Sequence, residues 1–260
     1  MTMFRTPAAA CVAATLAACA TPGTPPTITP TKAGLVEYHG SQKTIFDTGK
    51  AEKVVPVGAM SGAGDLHGVG AVAGLDGEIT VLRGKPFVTK VRGPGDAYTM
   101  DNGTGHHATF AVWARVSAWT EQPVPAEIKS YLDLQSFVKA RAAAAGIDAS
   151  KPFPFQLAGA PAEVKWHINV DLTGGKPIDT ALFVKSKANY VARNEPMEIV
   201  GFFSEQHGGV FTSAYVPAIP ANSGIRNALH IHMVTRDGKA AGHIDNLTLA
   251  PGMVLRLPKI

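Results

Sequence analysis

Cysteine is nearly missing from this chain: its two copies, Cys11 and Cys19, both lie within the first 19 of 260 residues. The body therefore has no disulfide framework and no thiolate to offer a metal. Its stability must come from a packed core or from a site built on histidines and carboxylates. Charge is sparse as well, at 17% of residues, and the 24 cations and 20 anions are scattered, with no Lys/Arg run longer than two. Nucleic-acid binding needs a concentrated basic footprint, which this distribution excludes. Long apolar runs are missing too, since the one uncharged stretch of membrane-spanning length after residue 33, 206–225, is polar and interrupted by Pro217 and Pro220. What is present is a globular composition. With 45% hydrophobic residues a disordered chain is excluded, and 27 Gly with 19 Pro exclude a coiled coil.

Residues 1–19 (MTMFRTPAAACVAATLAAC) place Arg5 before an uncharged Ala/Val/Leu stretch that ends in small residues, the pattern of an export signal. Leu16-Ala17-Ala18-Cys19 resembles the lipobox of bacterial lipoproteins, in which Cys19 becomes a lipidated first residue; plain cleavage after Ala20 is the alternative. Residues 20–33 are Pro/Thr-rich and read as an extended tether, which leaves 34–260 as the folded domain. The expectation is an exported protein of the periplasm or cell envelope that meets the membrane only through a lipid on Cys19.

Most of the body reads as strands broken by Gly, Pro and Asp-Gly turns. Residues 78–83, 85–92 and 108–117 are strand candidates, with Gly84 between the first two. Over 164–172 the residues alternate: Val164, Trp166, Ile168, Val170 and Leu172 share one face, and Lys165, His167, Asn169 and Asp171 the other. That is a half-buried strand with a polar side. One helix stands out, with Asp133 as its cap, Leu134, Phe137, Val138, Ala142 and Ala145 at helical spacing, and Gly146 closing it. The Pro-rich stretch 151–154 marks a division between halves, and no fixed-period repeat occurs. The expected fold is α+β: mostly antiparallel β, in two β-rich halves with a few helices.

The chemistry concentrates in 228–249, ALHIHMVTRDGKAAGHIDNLTL. His230 and His232 are two apart in a strand pattern, so both imidazoles leave the same face. Asp237-Gly238 is a strong hairpin turn, and with those two as the loop, paired residue numbers sum to 475. His232 then lies opposite His243 and His230 opposite Asp245, which gathers three imidazoles and a carboxylate on one face. Leu229, Ile231, Met233 and Ile244 fall on the other face, toward a core. A single strand histidine is ordinarily a core or surface residue, but three that converge suit a divalent metal with a vacant position. Asp245 is either a further ligand or a group that orients an imidazole. His167 reads as a residue of its strand's polar face, and His106 and His107 as loop residues. His207 sits in a turn from which it can approach the hairpin, and His39 and His67 have no evident partners.

HIHMVTRDGKAAGHIDNLTL resembles the metal-binding hairpin of α-acetolactate decarboxylases, an HxH followed eleven residues later by a Gly-His. VGAVAGLDGEITVLRGKPFV resembles that family's N-terminal segment, whose Gly-Leu-Asp-Gly-Glu run supplies an active-site glutamate. HATFAVWARV and EIVGFFS are similar to the β segments between. The resemblance implies His230, His232 and His243 as ligands of zinc or another divalent ion, with Glu78 as the nearby carboxylate. On the residues alone, Glu78 reads as an exposed strand residue after the Asp76-Gly77 turn. Two features depart from the family. Its further glutamate, beyond a strand matched here by Leu255-Arg256-Leu257-Pro258, has no match, and its active-site arginine has no secure counterpart in 173–195. Lys185, Lys187 and Arg193 are the cations available there.

The implied reaction is decarboxylation of 2-acetolactate, a small anionic hydroxy-keto acid, to acetoin. The chelated metal acts as a Lewis acid and Glu78 as proton donor. Assembly as a homodimer stays open. Two other classes stay open too. One is a cupin-like metalloenzyme on another hydroxy or keto acid, although cupins carry a Glu soon after their HxH, where this chain reads Met-Val-Thr-Arg-Asp. The other is a non-catalytic envelope lipoprotein that binds a metal or ligand.

Overall fold

A computed structural model describes residues 36–260 apart from 104, 214, 215 and 221; the export signal and tether expected over 1–33 lie outside the described residues. The strands form two sheets. The first contains β1 (Val36–His39), β2 (Val55–Pro56), β3 (Leu66–Val72), β4 (Glu78–Leu82), β5 (Lys85–Lys90), β6 (Thr99–Asp101) and β7 (His107–Arg115). Its order is β1-β7-β3-β4-β5-β6, with β2 also on β7. The second contains β8 (Trp119–Pro123), β9 (Phe153–Gly159), β10 (Glu163–Asn169), β11 (Lys187–Ala192), β12 (Met197–Phe203), β13 (Leu229–Thr235), β14 (Ala241–Thr248) and β15 (Val254–Pro258). Its order is β11-β10-β14-β13-β12-β9-β15-β8. Every ladder between these strands is antiparallel. Among the described residues, three α-helices, α1 (Gln42–Thr48), α2 (Tyr131–Ala144) and α3 (Thr180–Lys185), complete the α+β fold.

Strand alternation sorts the side chains into layers. On β13, Leu229, Ile231 and Met233 join a core with Leu134 and Val138 of α2 and Phe153 and Phe155 of β9. Val234 faces the other way, in a layer with Val69, Leu82 and Phe87 of the first sheet and Val200 and Ala241 of the second. On β4, Ile79 and Val81 point to a separate core on the outer side of the first sheet. The odd-even pattern of β4 thus leaves Glu78 and Thr80 on the side of Leu82, facing the second sheet.

Three local expectations change. The cap of α2 is Ser130, whose hydroxyl accepts from the Asp133 amide at 3.1 Å, while the Asp133 carboxylate accepts from the Ser130 amide at 2.9 Å. Asp133 is the third residue of a capping box, which places an acidic side chain near the positive end of the helix. The chain passes from one sheet to the other between β7 and β8, not at 151–154, where Phe153 already opens β9. β10 stops at Asn169, and Leu172 is exposed.

At one end of the layer, an ion network ties the sheets together. Arg83, in the β4–β5 turn, grips Glu198 of β12 with both guanidinium nitrogens (3.0 and 2.7 Å), and Arg256 of β15 donates to the same carboxylate at 3.0 Å. Burial alone would raise the Glu198 carboxyl; the hydrogen bonds from the two arginines prevail and hold it below the ordinary carboxylate value. A lowered folded-state value stabilises the fold fully above the ordinary value of 4.5, and the contribution is lost as pH falls through the lowered one. Glu198→Gln is expected to cost about 1 kcal/mol near pH 7, since the ion cluster is partly exposed to solvent. Urea titrations at pH 7 and pH 3 check this: the gap between variant and parent should shrink at the lower pH.

Candidate metal centre

The β13–β14 hairpin turns at Asp237-Gly238, but with four residues, 236–239, between its last paired positions. The Thr235 amide donates to the Ala240 carbonyl at 2.9 Å and the Gly238 amide to the Thr235 carbonyl at 2.8 Å. A two-residue and a four-residue loop centred on the same dipeptide give the same register, so His232 does pair with His243. The ladder over these strands runs through His232↔His243, Met233↔Gly242 and Val234↔Ala241. Beyond it, β14 bulges against β10: Lys165 pairs with Asn246 and Trp166 with Ile244, which leaves Asp245 as the extra residue. A bulge re-aims its side chain. Asp245 consequently turns to β10 instead of facing His230. Gly242 answers another close approach, because a Cβ there would lie 2.7 Å from both the His167 carbonyl oxygen and the Trp166 ring.

His230, His232 and His243 converge in the layer between the sheets, with one ligating atom from each within 4.8 Å of the others. The Nε2 atoms of His230 and His232 are 3.1 Å apart. Bonds of 2.0–2.1 Å around a tetrahedral zinc set neighbouring ligands about 3.3 Å apart. The pair thus has the spacing of two ligand corners, and the same spacing also suits an N–H···N bond between them when no metal is bound. Burial holds the His230 imidazole down to about 4, and it drives His232 and His243 well below the usual histidine value. All three rings are therefore neutral near pH 7, the form that ligates a metal. Nδ1 of His243 is buried without a hydrogen-bond partner. Nδ1 of His232 lies 3.1 Å from Thr80 Oγ1, so with Nε2 turned to a metal its N–H donates to that hydroxyl and fixes the ring. The donor set and its spacing fit a divalent ion of the zinc type.

β4 brings a carboxylate to the same place. Glu78 is 2% exposed, not the surface residue that its turn context suggests by itself. Its Oε2 is 3.7 Å from His232 Nε2 and its Oε1 3.4 Å from His167 Nε2. Burial raises the Glu78 carboxyl above the ordinary carboxylate range.

His167 belongs to this cluster although its strand pattern assigns it merely to a polar face. It pairs with His243 across the β10–β14 ladder, and the two rings lie 4.7 Å apart. His167 Nδ1 is 2.6 Å from Asp245 Oδ2, and Lys187 Nζ donates to Asp245 Oδ1 at 3.2 Å. Burial acts to lower the His167 value, but the two carboxylates prevail and raise it. Burial likewise acts to raise Asp245, and His167 and Lys187 hold it below its ordinary value. Asp245 thus orients His167, while it stays 3.8 Å from His243 Nδ1. Of the three available cations, Lys187 lines the cavity beside Glu78, His167, His230 and His243; Arg193 pairs with Glu163. Phe110, Phe183 and Phe211 form that cavity's apolar wall. The remaining histidines lie elsewhere. His207 stacks on Phe211 and bonds Ser204 Oγ at 2.7 Å, His106 pairs with Asp101, His39 stacks on Trp113, and His67 meets Gln156 at 2.8 Å. No signal within its own strand could have found His167, because a polar face opposite an apolar one reads equally as a solvent face.

His232→Ala removes the central member of the triad. It is expected to lower bound divalent metal from about one ion per chain to near none. Elemental analysis of the purified variant after zinc reconstitution and desalting checks this, and an undiminished zinc content would sink the triad.

The comparisons agree with this architecture. A model of the family described as alpha-acetolactate decarboxylase matches residues 38–256. Curated proteins give no match. Among solved structures, acetolactate decarboxylase from Bacillus subtilis subspecies spizizenii is similar at 16% identity and TM-score 0.65, over 86% of each chain. Alpha-acetolactate decarboxylase from Bacillus subtilis strain 168 is similar at 15% identity and TM-score 0.62, again over 86% of each. A Staphylococcus aureus protein of unknown function, described as similar to alpha-acetolactate decarboxylase, shares 16% identity at TM-score 0.63, over 85% of this chain and 84% of that one. These likenesses show a common fold, and with a family match that starts in β1 and ends in β15, this chain belongs to the α-acetolactate decarboxylase family.

Proposed function

We propose that the protein catalyses metal-dependent decarboxylation of 2-acetolactate to acetoin and carbon dioxide. The observation that carries the reading is the convergence of three neutral imidazoles, two of which, His230 and His243, line one cavity together with the buried carboxyl of Glu78. A divalent ion on His230, His232 and His243, with zinc favoured by an all-imidazole donor set, supplies Lewis-acid polarisation of the substrate's oxygens. Lys187 offers the cavity a cation that draws in and orients the substrate carboxylate. Phe110, Phe183 and Phe211 give the cavity an apolar wall against which the substrate's methyl groups would lie.

The proton accounting is simple. Carbon dioxide leaves with its bond to the hydroxyl-bearing carbon broken, and the electron pair stays with the rest of the substrate. That carbon then needs one proton. Glu78, whose carboxyl burial pushes above its ordinary value, delivers it and regains one from water. The leader-like residues 1–19 support a location in the periplasm or cell envelope for this activity.

The test is acetoin release from racemic 2-acetolactate by zinc-reconstituted protein. The expected result is metal-dependent acetoin. Glu78→Gln should keep its zinc and lose turnover by roughly 10²–10⁴-fold, the usual range for a proton donor. A folded, zinc-loaded parent that releases no acetoin would overturn the reading. An active Glu78→Gln would remove Glu78 from the proton transfer.

A further inference from the structure

We propose that His167, held by Asp245, is a positioning residue that keeps the Glu78 carboxylate off the metal and so leaves a ligand position for substrate. The inference rests on the metal-site reading above. It starts from a difficulty in that site. Glu78 lies 3.7 Å from a triad nitrogen, and a carboxylate so close to a divalent ion tends to become its fourth ligand. Four protein ligands close a zinc site, whereas catalysis needs one position free.

What opposes that closure is on the far side of the carboxylate. Glu78 Oε1 faces His167 Nε2 at 3.4 Å, so the two oxygens of one carboxylate are divided between His167 and the triad. His167 cannot easily follow Glu78 toward the metal. Its Nδ1 is committed to Asp245 at 2.6 Å, and Asp245 is in turn held by Lys187 at 3.2 Å. These groups stand on β10, β14 and β11, adjacent strands of one ladder, and the bulge at Asp245 is what aims its carboxylate at His167. Asn169 and Lys187 are paired across the same ladder, two residues along from His167. Sites built on paired strands hold their geometry more closely than sites on loops.

His167, His243 and Asp245 also form a cluster that could in itself hold an ion. The 2.6 Å between His167 and Asp245 decides against that reading. It is a short charge-assisted hydrogen bond, well under the roughly 3.3 Å that separates two ligands of one tetrahedral ion. The balance of charge points the same way. Two carboxylates, Glu78 and Asp245, alternate with two basic groups, His167 and Lys187, in one buried line that ends beside three neutral imidazoles. Without His167, Glu78 would have the metal as its one strong partner.

The experiment uses the full protein loaded with cobalt(II), whose visible absorption reports its ligands, and oxalate as a small chelating probe. In the parent, oxalate is expected to bind and change the spectrum. In His167→Ala, the spectrum should already be altered before oxalate is added, because Glu78 has joined the ion, and oxalate should bind about ten-fold more weakly. Adding Glu78→Gln to His167→Ala should restore oxalate binding, which a merely damaged site would not do. Asp245→Asn, which keeps the side chain's shape and loosens its hold on His167, should give the same change to a smaller degree. It carries the test if His167→Ala does not fold. A single variant with the parent's spectrum and oxalate affinity would overturn the proposal. So would a defect that persists in the double variant, or a parent that takes up no cobalt. A parent that releases no acetoin yet shows this pattern would overturn the decarboxylase reading and leave the role of His167 standing.

Discussion

The structure depends on one constraint: ionisable groups placed between two packed sheets must be neutral or paired, because water cannot compensate them there. Part of the inter-sheet layer, around Val234, Leu82, Phe87 and Ala241, is apolar and needs no compensation. Beside it the same two sheets enclose Glu78, His167, His230, His232, His243 and Asp245, all buried or nearly so. An unpaired charge in such a place costs several kcal/mol. The three triad rings meet the constraint by staying neutral. His167 meets it by sitting between two carboxylates, and Asp245 by accepting from both His167 and Lys187. The arrangement thus divides into a neutral donor set and a charge-balanced line, which meet at Glu78 and along the His167–His243 pair.

That division explains how far the sequence could be read. The triad was legible because each step rested on local geometry: two-residue periodicity fixes the face of His230 and His232, and a dipeptide turn fixes the register. The register even tolerates an error in loop length, since any even-numbered loop centred on Asp237-Gly238 pairs His232 with His243. The Gly-Leu-Asp-Gly-Glu resemblance alone brought Glu78 into view, because nothing local distinguishes its buried position from an exposed one. The sheet content was legible from turn residues and β-branched runs.

His167 and the aim of Asp245 were not legible, for two different physical reasons. The polar face of β10 looks like a solvent face as long as the second sheet is not known to lie over it, and no pattern within residues 164–172 announces that covering. Asp245 is displaced by a bulge opposite Lys165 and Trp166, and a bulge breaks the constant sum on which the register argument depends. The division between halves was misplaced for a third reason. Pro152 and Pro154 flank the entry into β9, an interior strand of its sheet, whereas the true passage between sheets is the short, unremarkable link after Arg115. Proline content marks a break in regular structure but does not say whether the sheet changes there.

The same constraint bears on how freely the residues of this site can be exchanged. Without a metal, Nδ1 of His243 is buried with no protein group to satisfy it, and the facing Nε2 atoms of His230 and His232 have only each other. Each is a cost to the folded state. An ion bound only by the folded chain offsets such costs and adds stability that grows with the logarithm of its free concentration. Folding and ligation would then be coupled through the same three side chains. Substituting one imidazole would remove a ligand and also leave its neighbours buried without a partner, whereas much of the surrounding apolar layer tolerates volume-conserving exchange. The polar part of the inter-sheet layer is on this account the part least free to change. The line from His167 through Asp245 to Lys187 shares its burial and its balance of charge, and so shares that restraint.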